Sequence, residues 1–270
     1  MDDVIFACDT SDRACIRKTT VPLRGKLFHF LESDSCIGKC MNELHMYWEE
    51  YLFPYFSYMY KKYAHNTNVL DIGANIGTSA LMFFDILQEC NSTGKIMSFE
   101  PIYHEILTMN MIENGANEIV RVHPFALGES YRHIETQIYN WNESHNFGQA
   151  SFDPTAPTIC RGTRNVKFTV KTVDSYGFTN VGLVKIDVEG MECEVLHGAM
   201  QTIRDNLPIL FIELWPATME KLKSSEAGRL LMQLGYYIVQ IPSPYNHDYV
   251  FVPASKVNSE HCLRELSALR

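Results

Sequence analysis

Val69-Leu70-Asp71-Ile72-Gly73-Ala74-Asn75-Ile76-Gly77 is the stretch of this 270-residue chain that decides its fold. A short apolar run closes on a glycine, and the apolar spacing from Ile76 to Cys90 predicts a helix behind it. A glycine turn between a strand and a helix is where an open α/β sheet carries its ligand-binding loop. Gly73 lets the chain reverse sharply, and Gly77 allows close packing at the helix start. Thr78 and Ser79 add hydroxyls in the first helical turn.

Outward from this turn, strand and helix signals alternate. Residues 95–99 read as a strand, 103–114 as a helix and 119–123 as a strand. Beyond a break come strands at 183–188 and 209–214, helices at 192–206 and 217–234, and a closing pair at 236–241 and 249–252. The pattern predicts an α/β, Rossmann-like domain over 67–270, with a mostly parallel central sheet and helices on both faces. The break, 131–175, reads as an antiparallel insertion: β-like stretches at 133–139 and 166–173 flank a polar loop, 140–162, with Pro154 and Pro157. Residues 1–66 form an N-terminal extension. Its first 40 residues show no sustained period and suit short strands or an arm. Leu44, Trp48, Leu52, Phe56 and Met59 then recur at helical spacing, interrupted by Pro54, so the expectation is a helical annex.

Composition narrows the class. Lys plus Arg total 23 against 32 Asp plus Glu, a net charge of -9, which disfavours a nucleic-acid partner. Eight scattered cysteines form no CxxC pair and read as free thiols, Cys36 and Cys40 being the only close pair. The first residues lack the basic and apolar regions of a signal peptide, and no apolar run approaches a membrane span. A soluble, cytoplasmic protein is the expectation; the oligomeric state is not legible.

The loop's spacing also speaks to its ligand. The GxGxxG fingerprint needs a glycine where backbone meets a pyrophosphate, but Asn75 stands inside this loop and Asp71 would repel phosphate. S-adenosylmethionine (SAM), with a sulfonium and an ammonium, suits it better. Glu100, 23 residues past Gly77, ends the next strand in Phe99-Glu100-Pro101, where an acid can accept hydrogen bonds from both ribose hydroxyls and Pro101 stiffens the turn. Ala126 and Leu127 follow the third strand and are expected beside the adenine.

A second unusual segment is Lys185-Ile-Asp-Val-Glu-Gly190. Period two sends Lys185, Asp187 and Glu189 to one side of a strand that should be apolar on both faces, and such charges are costly unless paired or used. Asp187 and Glu189 sit at the strand end where these sheets bind ligands. The competing reading is an ion pair of Lys185 with Asp187 or Glu189 that only shapes the loop. Glu213 closes the next strand, and three such carboxylates can hold a divalent metal. With no supporting histidine spacing, a metal is not favoured, and none is assigned.

These segments resemble the FkbM family of methyltransferases: DIGANIG at 71–77, FEP at 99–101, Asn110-x3-Asn114, and KIDVEGxE at 185–192. The similarity covers about residues 67–215. It implies SAM as cofactor and methylation of a hydroxyl oxygen, often on a sugar, glycan or hydroxylated natural product. By that resemblance Asp71, Gly73, Asn75, Gly77 and Glu100 would hold the cofactor, and the reading of the turn and strand ends adds Ala74, Thr78, Pro101, Ala126 and Leu127 beside them. Asp187 and Glu189 would lie at the reacting end, with Asp187 the preferred base and Glu189, Glu213, His145 and His123 in reserve. Two alternatives stand beside it. One is a cofactor-binding module without catalysis in a glycan-modifying assembly; the other is a nicotinamide-dependent oxidoreductase, which needs pyrophosphate where Asp71 and Asn75 stand.

Overall fold

The computed structural model describes residues 3–7, 13, 15–21, 25–149, 164–244, 246–257, 264 and 266. The extension is not purely helical. It opens with an antiparallel hairpin, β1 (Ile16–Val21) and β2 (Lys26–Leu31), whose period is masked because only β2 buries much of its length. A short helix, α1 (Ile37–Glu43), follows. The chain then runs irregularly past Trp48 to Glu49, in the left-handed region at φ 60°. A 3-10 turn (Glu50–Leu52) leads into α2 (Phe53–Tyr63). The helical spacing read from Leu44 to Met59, with Pro54 kinking or splitting it, is thus realised only from Phe53 onward. Pro54 sits in the first turn of α2, where its missing N–H breaks no helical bond, so it starts a helix instead of bending one. Cys36 and Cys40 are free thiols.

The repeating part follows the alternation read from the sequence. In chain order it comprises β3 (Asn68–Ile72), α3 (Thr78–Glu89), β4 (Ile96–Phe99), α4 (His104–Glu113) and β5 (Val120–His123). After the insertion come β9 (Val181–Ile186), α5 (Glu192–His197), α6 (Met200–Asn206) and β10 (Ile209–Glu213). The chain closes with α7 (Pro216–Ser224), α8 (Glu226–Gln233), β11 (Tyr236–Gln240) and β12 (Asp248–Pro253). Two expected long helices are each broken in two. The second break is at Ser225, whose extended backbone N-caps α8 by accepting the Gly228 N–H at 3.0 Å.

Seven strands form one sheet in the order β11-β12-β10-β9-β3-β4-β5. Neighbours from β10 to β5 are parallel, and β12 wedges antiparallel between β10 and β11. Strand residues alternate between two cores. Val69 and Leu183 join Phe56, Phe83 and Ile106 on the α2–α4 face, while Leu70 and Val184 join Leu196, Ile203 and Leu231 on the α5–α8 face. Helices on both faces explain why the central strands are mostly apolar, with Asp71 in β3 and Lys185 in β9 as buried charged exceptions. The insertion is a separate sheet in which β8 (Arg164–Lys171) pairs parallel with β6 (Ala126–Leu127) and antiparallel with β7 (Arg132–Ile138). Most of the polar loop, including Pro154 and Pro157, lies outside the described residues.

Two glycines fix the turn after β3. Gly73 has φ 79°, and a Cβ there would stand 1.8 Å from the Asp187 carbonyl oxygen. Gly77 has φ 98°, and a Cβ there would meet Leu107 and Met111 of α4 at 2.5 and 2.7 Å. The first contact is backbone and cannot yield. Gly73→Ala is expected to cost at least ~2 kcal/mol, from left-handed strain plus displacement of the β9 end. Urea unfolding measures this; a loss under ~0.5 kcal/mol refutes the contact.

Candidate active site

The strand order switches between β3 and β9, the position where open sheets bind ligands beyond their carboxyl ends. A cavity of about 190 Å³ opens there. Gly73, Ala74, Asn75 and Thr78 line it from the glycine turn, Glu100, Pro101 and Ala126 from one flank, and Asp187 and Glu189 from the other. The sequence-expected residues are thus brought together, with three exceptions. Asp71 is fully buried and outside the cavity lining, Gly77 packs on α4, and Leu127 joins the α5–α8 core.

Glu100 is tied down by backbone. Its Oε1 accepts the N–H groups of Ile102 (2.8 Å) and Tyr103 (3.0 Å), and its Oε2 accepts that of Asn75 (3.0 Å). Burial raises its pKa against the lowering effect of these donors. By lone-pair count one acceptor position stays free on Oε2, enough for one hydroxyl where two were expected. Asn75, at φ 48°, folds its own side chain back, Oδ1 accepting the Ile76 N–H at 2.8 Å. A short polar side chain that bonds its local backbone eases a left-handed position that is not glycine.

Asp71 is pushed up to about 6, by burial first; the Lys185 ammonium opposes the shift and the Asp187 carboxylate adds to it. Neither Asp71 oxygen closes a hydrogen bond of standard geometry. Lys185 itself donates to Asp187 Oδ2 at 2.8 Å, the first of the two ion pairs considered from sequence. Burial opposes the ammonium charge, but Asp187, Glu49 and Asp71 outweigh it and raise the lysine's pKa.

Opposite the glycine turn the cavity is acidic. Glu49, Asp187, Glu189 and Glu213 all line it, facing the single ammonium of Lys185. One oxygen each of Asp187, Glu189 and Glu213 lies within 4.8 Å of the others. Crowding favours protonated forms of Glu49, Glu189 and Glu213; a ligand that brings positive charge relieves that crowding, whereas a pyrophosphate adds to it. Glu189 is held in the left-handed region (φ 51°) by the turn before α5. Glu192 secures that turn, its Oε1 accepting the N–H groups of Val188 (3.3 Å) and Gly190 (2.9 Å). Burial pushes Glu192 to about 7. The last acid of the KIDVEGxE segment therefore shapes the loop that presents Glu189.

The loop around 143–148 is one the sequence allows to close over a substrate, but the other roof residues carry no signal in the sequence. Trp48 and Glu49 arrive from the irregular link between α1 and α2, Phe147 from the insertion, and Trp215 from the start of α7. Trp48 had been placed on the core face of a long helix, and its position follows from that helix not forming. The roof segment is clamped to the annex: Ser35 N–H donates to the His145 carbonyl at 2.9 Å, and Asp34 and His145 form a β-bridge. The two reserve histidines do not line the cavity. His145 stacks on Tyr139 at 3.7 Å, and His123 stacks on Phe99 at 4.6 Å with its pKa lowered by burial.

A seven-stranded, mostly parallel sheet with helices on both faces and an acid-rimmed cavity at its switch point defines a Rossmann-like α/β domain. The family model described as the methyltransferase FkbM domain matches residues 71–238, and the chain belongs to that family. No curated protein matches it. Among solved structures it is similar to the methyltransferase FkbM from Methylobacillus flagellatus KT, with 18% identity and a TM-score of 0.48. That likeness covers 69% of this chain and 43% of the other, so this chain spans less than half of it. It is also similar to an O-methyltransferase from Bacillus cereus in complex with SAH (10% identity, 76% and 80% covered, TM-score 0.44). A third likeness is to SAH-bound Podospora anserina methyltransferase PaMTH1 (11%, 75% and 77%, TM-score 0.42). Among the described residues no helix is long and apolar enough to cross a membrane.

The acid cluster gives a pH signature. Burial, then repulsion from Asp187, raises the pKa of Glu189 and Glu213; Glu49 is raised in the same way against the opposing Lys185. A carboxyl raised in the folded state binds more protons folded than unfolded, so stability falls as pH climbs. The window runs from the ordinary 4.5 toward about 8, the value Glu189 reaches. Melting temperature of the ligand-free protein is expected to drop across that window, and less steeply in Glu213→Gln. Parallel slopes for the two proteins would refute the cluster's strain.

Proposed function

We propose that the domain transfers a methyl group from SAM to a hydroxyl oxygen of a sugar, glycan or related small molecule. The observation that carries this is the two-sided cavity: a glycine turn with its ribose-side acid on one flank, and an acid cluster roofed by indoles on the other. Bound there, SAM supplies an electrophilic methyl on a sulfonium. Gly73, Ala74, Asn75, Gly77 and Thr78 form the turn that receives it, Glu100 accepts one ribose hydroxyl, and Pro101 and Ala126 border the base. Asp71, beneath the turn, contributes negative charge without contact.

Asp187 would take the proton of the attacking hydroxyl and so turn that oxygen into the nucleophile for the methyl group that bound SAM would supply. Lys185 engages one Asp187 oxygen and so fixes its direction. Glu189, its pKa raised to about 8 by burial and the Asp187 carboxylate, keeps a proton near neutrality. Alignment of nucleophile, carbon and sulfur supplies much of the acceleration. Trp48 and Trp215 offer flat apolar faces suited to a sugar ring, and the carboxylates accept its hydroxyls. A divalent cation is not required in this scheme, because Lys185 already sets a positive charge against Asp187.

Isothermal titration with SAM tests the cofactor assignment. Glu100→Ala is expected to raise Kd roughly 10- to 100-fold, the loss of a charge-assisted hydrogen bond. Unchanged affinity removes Glu100 from the site, and tighter binding of a nicotinamide dinucleotide overturns the cofactor. Methyl release on a glycan panel tests turnover. Asp187→Asn is expected to lower it by about 10²- to 10⁴-fold with SAM binding intact. A wild type that binds SAM yet turns over no hydroxylated acceptor favours the non-catalytic module. Activity lost on chelation and restored by magnesium transfers the Asp187–Glu189–Glu213 trio to a metal.

A further inference from the structure

Asn110 and Asn114 sit one turn apart on α4, against the free edge of β2. Asn114 treats Leu27 as a strand partner would: Oδ1 accepts its N–H at 3.0 Å, and Nδ2 donates to its carbonyl at 2.7 Å. Asn110 repeats the pattern on His29, accepting the N–H at 2.6 Å and donating to the carbonyl at 3.0 Å. Leu27 and His29 are alternate strand residues, so their peptide groups face the same edge. Two carboxamides one helical turn apart thus stand in for a neighbouring strand.

The two asparagines differ in one bond. The second N–H of Asn114 returns to the Asn110 carbonyl of its own helix at 2.8 Å. That of Asn110 crosses to the Ile76 carbonyl at 2.7 Å, inside the glycine turn and one residue before α3 caps on Gly77. Asn110 is fully buried, and both of its amide hydrogens are used. A buried carbonyl stripped of its donor is left unsatisfied, which favours a shift of the short turn that carries it.

We propose that Asn110 is a positioning residue of the cofactor turn, fixing the Ile76 carbonyl and anchoring it on the N-terminal hairpin. The hairpin is then a working part of the cofactor site, although it lies more than 35 residues before the turn in sequence. The same annex carries Ser35, which holds the roof segment at His145. One buried amide therefore joins the floor of the cavity to the element supporting its roof. This inference rests on the reading of the turn as a SAM site.

Asn110→Ala and Asn114→Ala in the full chain separate positioning from stability. Both remove a clamp on β2 and are expected to lower the melting temperature comparably. Only Asn110→Ala should raise the Kd for SAM, by about 10-fold, with turnover at saturating SAM within about twofold of wild type. Without any ligand, it alone should speed hydrogen exchange at the Gly77 amide, which bonds the Ala74 carbonyl inside the turn. Should Asn110→Ala fail to fold, Asn110→Ser removes the same donor with less lost volume. Equal SAM affinity and equal Gly77 exchange in the two variants would overturn the proposal. A wild type that does not bind SAM defeats the cofactor reading instead, and the ligand-free exchange rates then decide the role of Asn110.

Discussion

Everything in the cavity depends on how closely two strand ends approach. The β3 turn and the β9 end touch backbone to backbone at Gly73 and Asp187, with the Asp187 N–H bonded to the Ile72 carbonyl at 3.1 Å. Because no side chain separates them, the turn and the acid cluster share one rigid seam. Asn75 and Glu100 are fixed on one side of it, and Lys185, Asp187 and Glu189 on the other. A looser seam would leave the carboxylates free to spread into solvent and relax their mutual repulsion.

Held so near one another, the acids shape the electrostatics of the whole cleft. A buried ion pair is rarely a net source of stability. Lys185 with Asp187 is better understood as a directional device that orients one carboxylate while Asp71, behind it, adds field. Glu192 works in the same spirit, spending its hydrogen bonds on the turn that carries Glu189 in a left-handed conformation. Much of the charge in the KIDVEGxE segment thus supports neighbouring groups.

The sheet was legible because burial on both faces leaves runs such as Val69–Ile72 and Leu183–Ile186, and because glycine marks the one turn that must bend sharply. Asp187, Glu189 and Glu100 were legible as charges at strand ends where apolar residues belong. The annex was not. Its hairpin buries mainly one strand, so no period shows, and Leu44 to Met59 imitate a helix that the backbone abandons between Leu44 and Glu49. Trp48 and Glu49 reach the cavity because of that interruption, which depends on tertiary contacts. The histidines were attractive by chemistry alone, and their rings are taken up by stacking on Tyr139 and Phe99.

The roof has a different origin from the floor. The floor is sheet, fixed by the ladder between β3 and β9, whereas Trp48, Glu49 and Phe147 ride on connecting segments, the last of them tied to the annex by backbone hydrogen bonds between His145 and both Ser33 and Ser35. Loops accept insertions and replacements that a central strand does not. Selection can therefore rewrite what enters from above while the sheet-borne floor stays as it is, a division of labour that lets one scaffold diversify its clients.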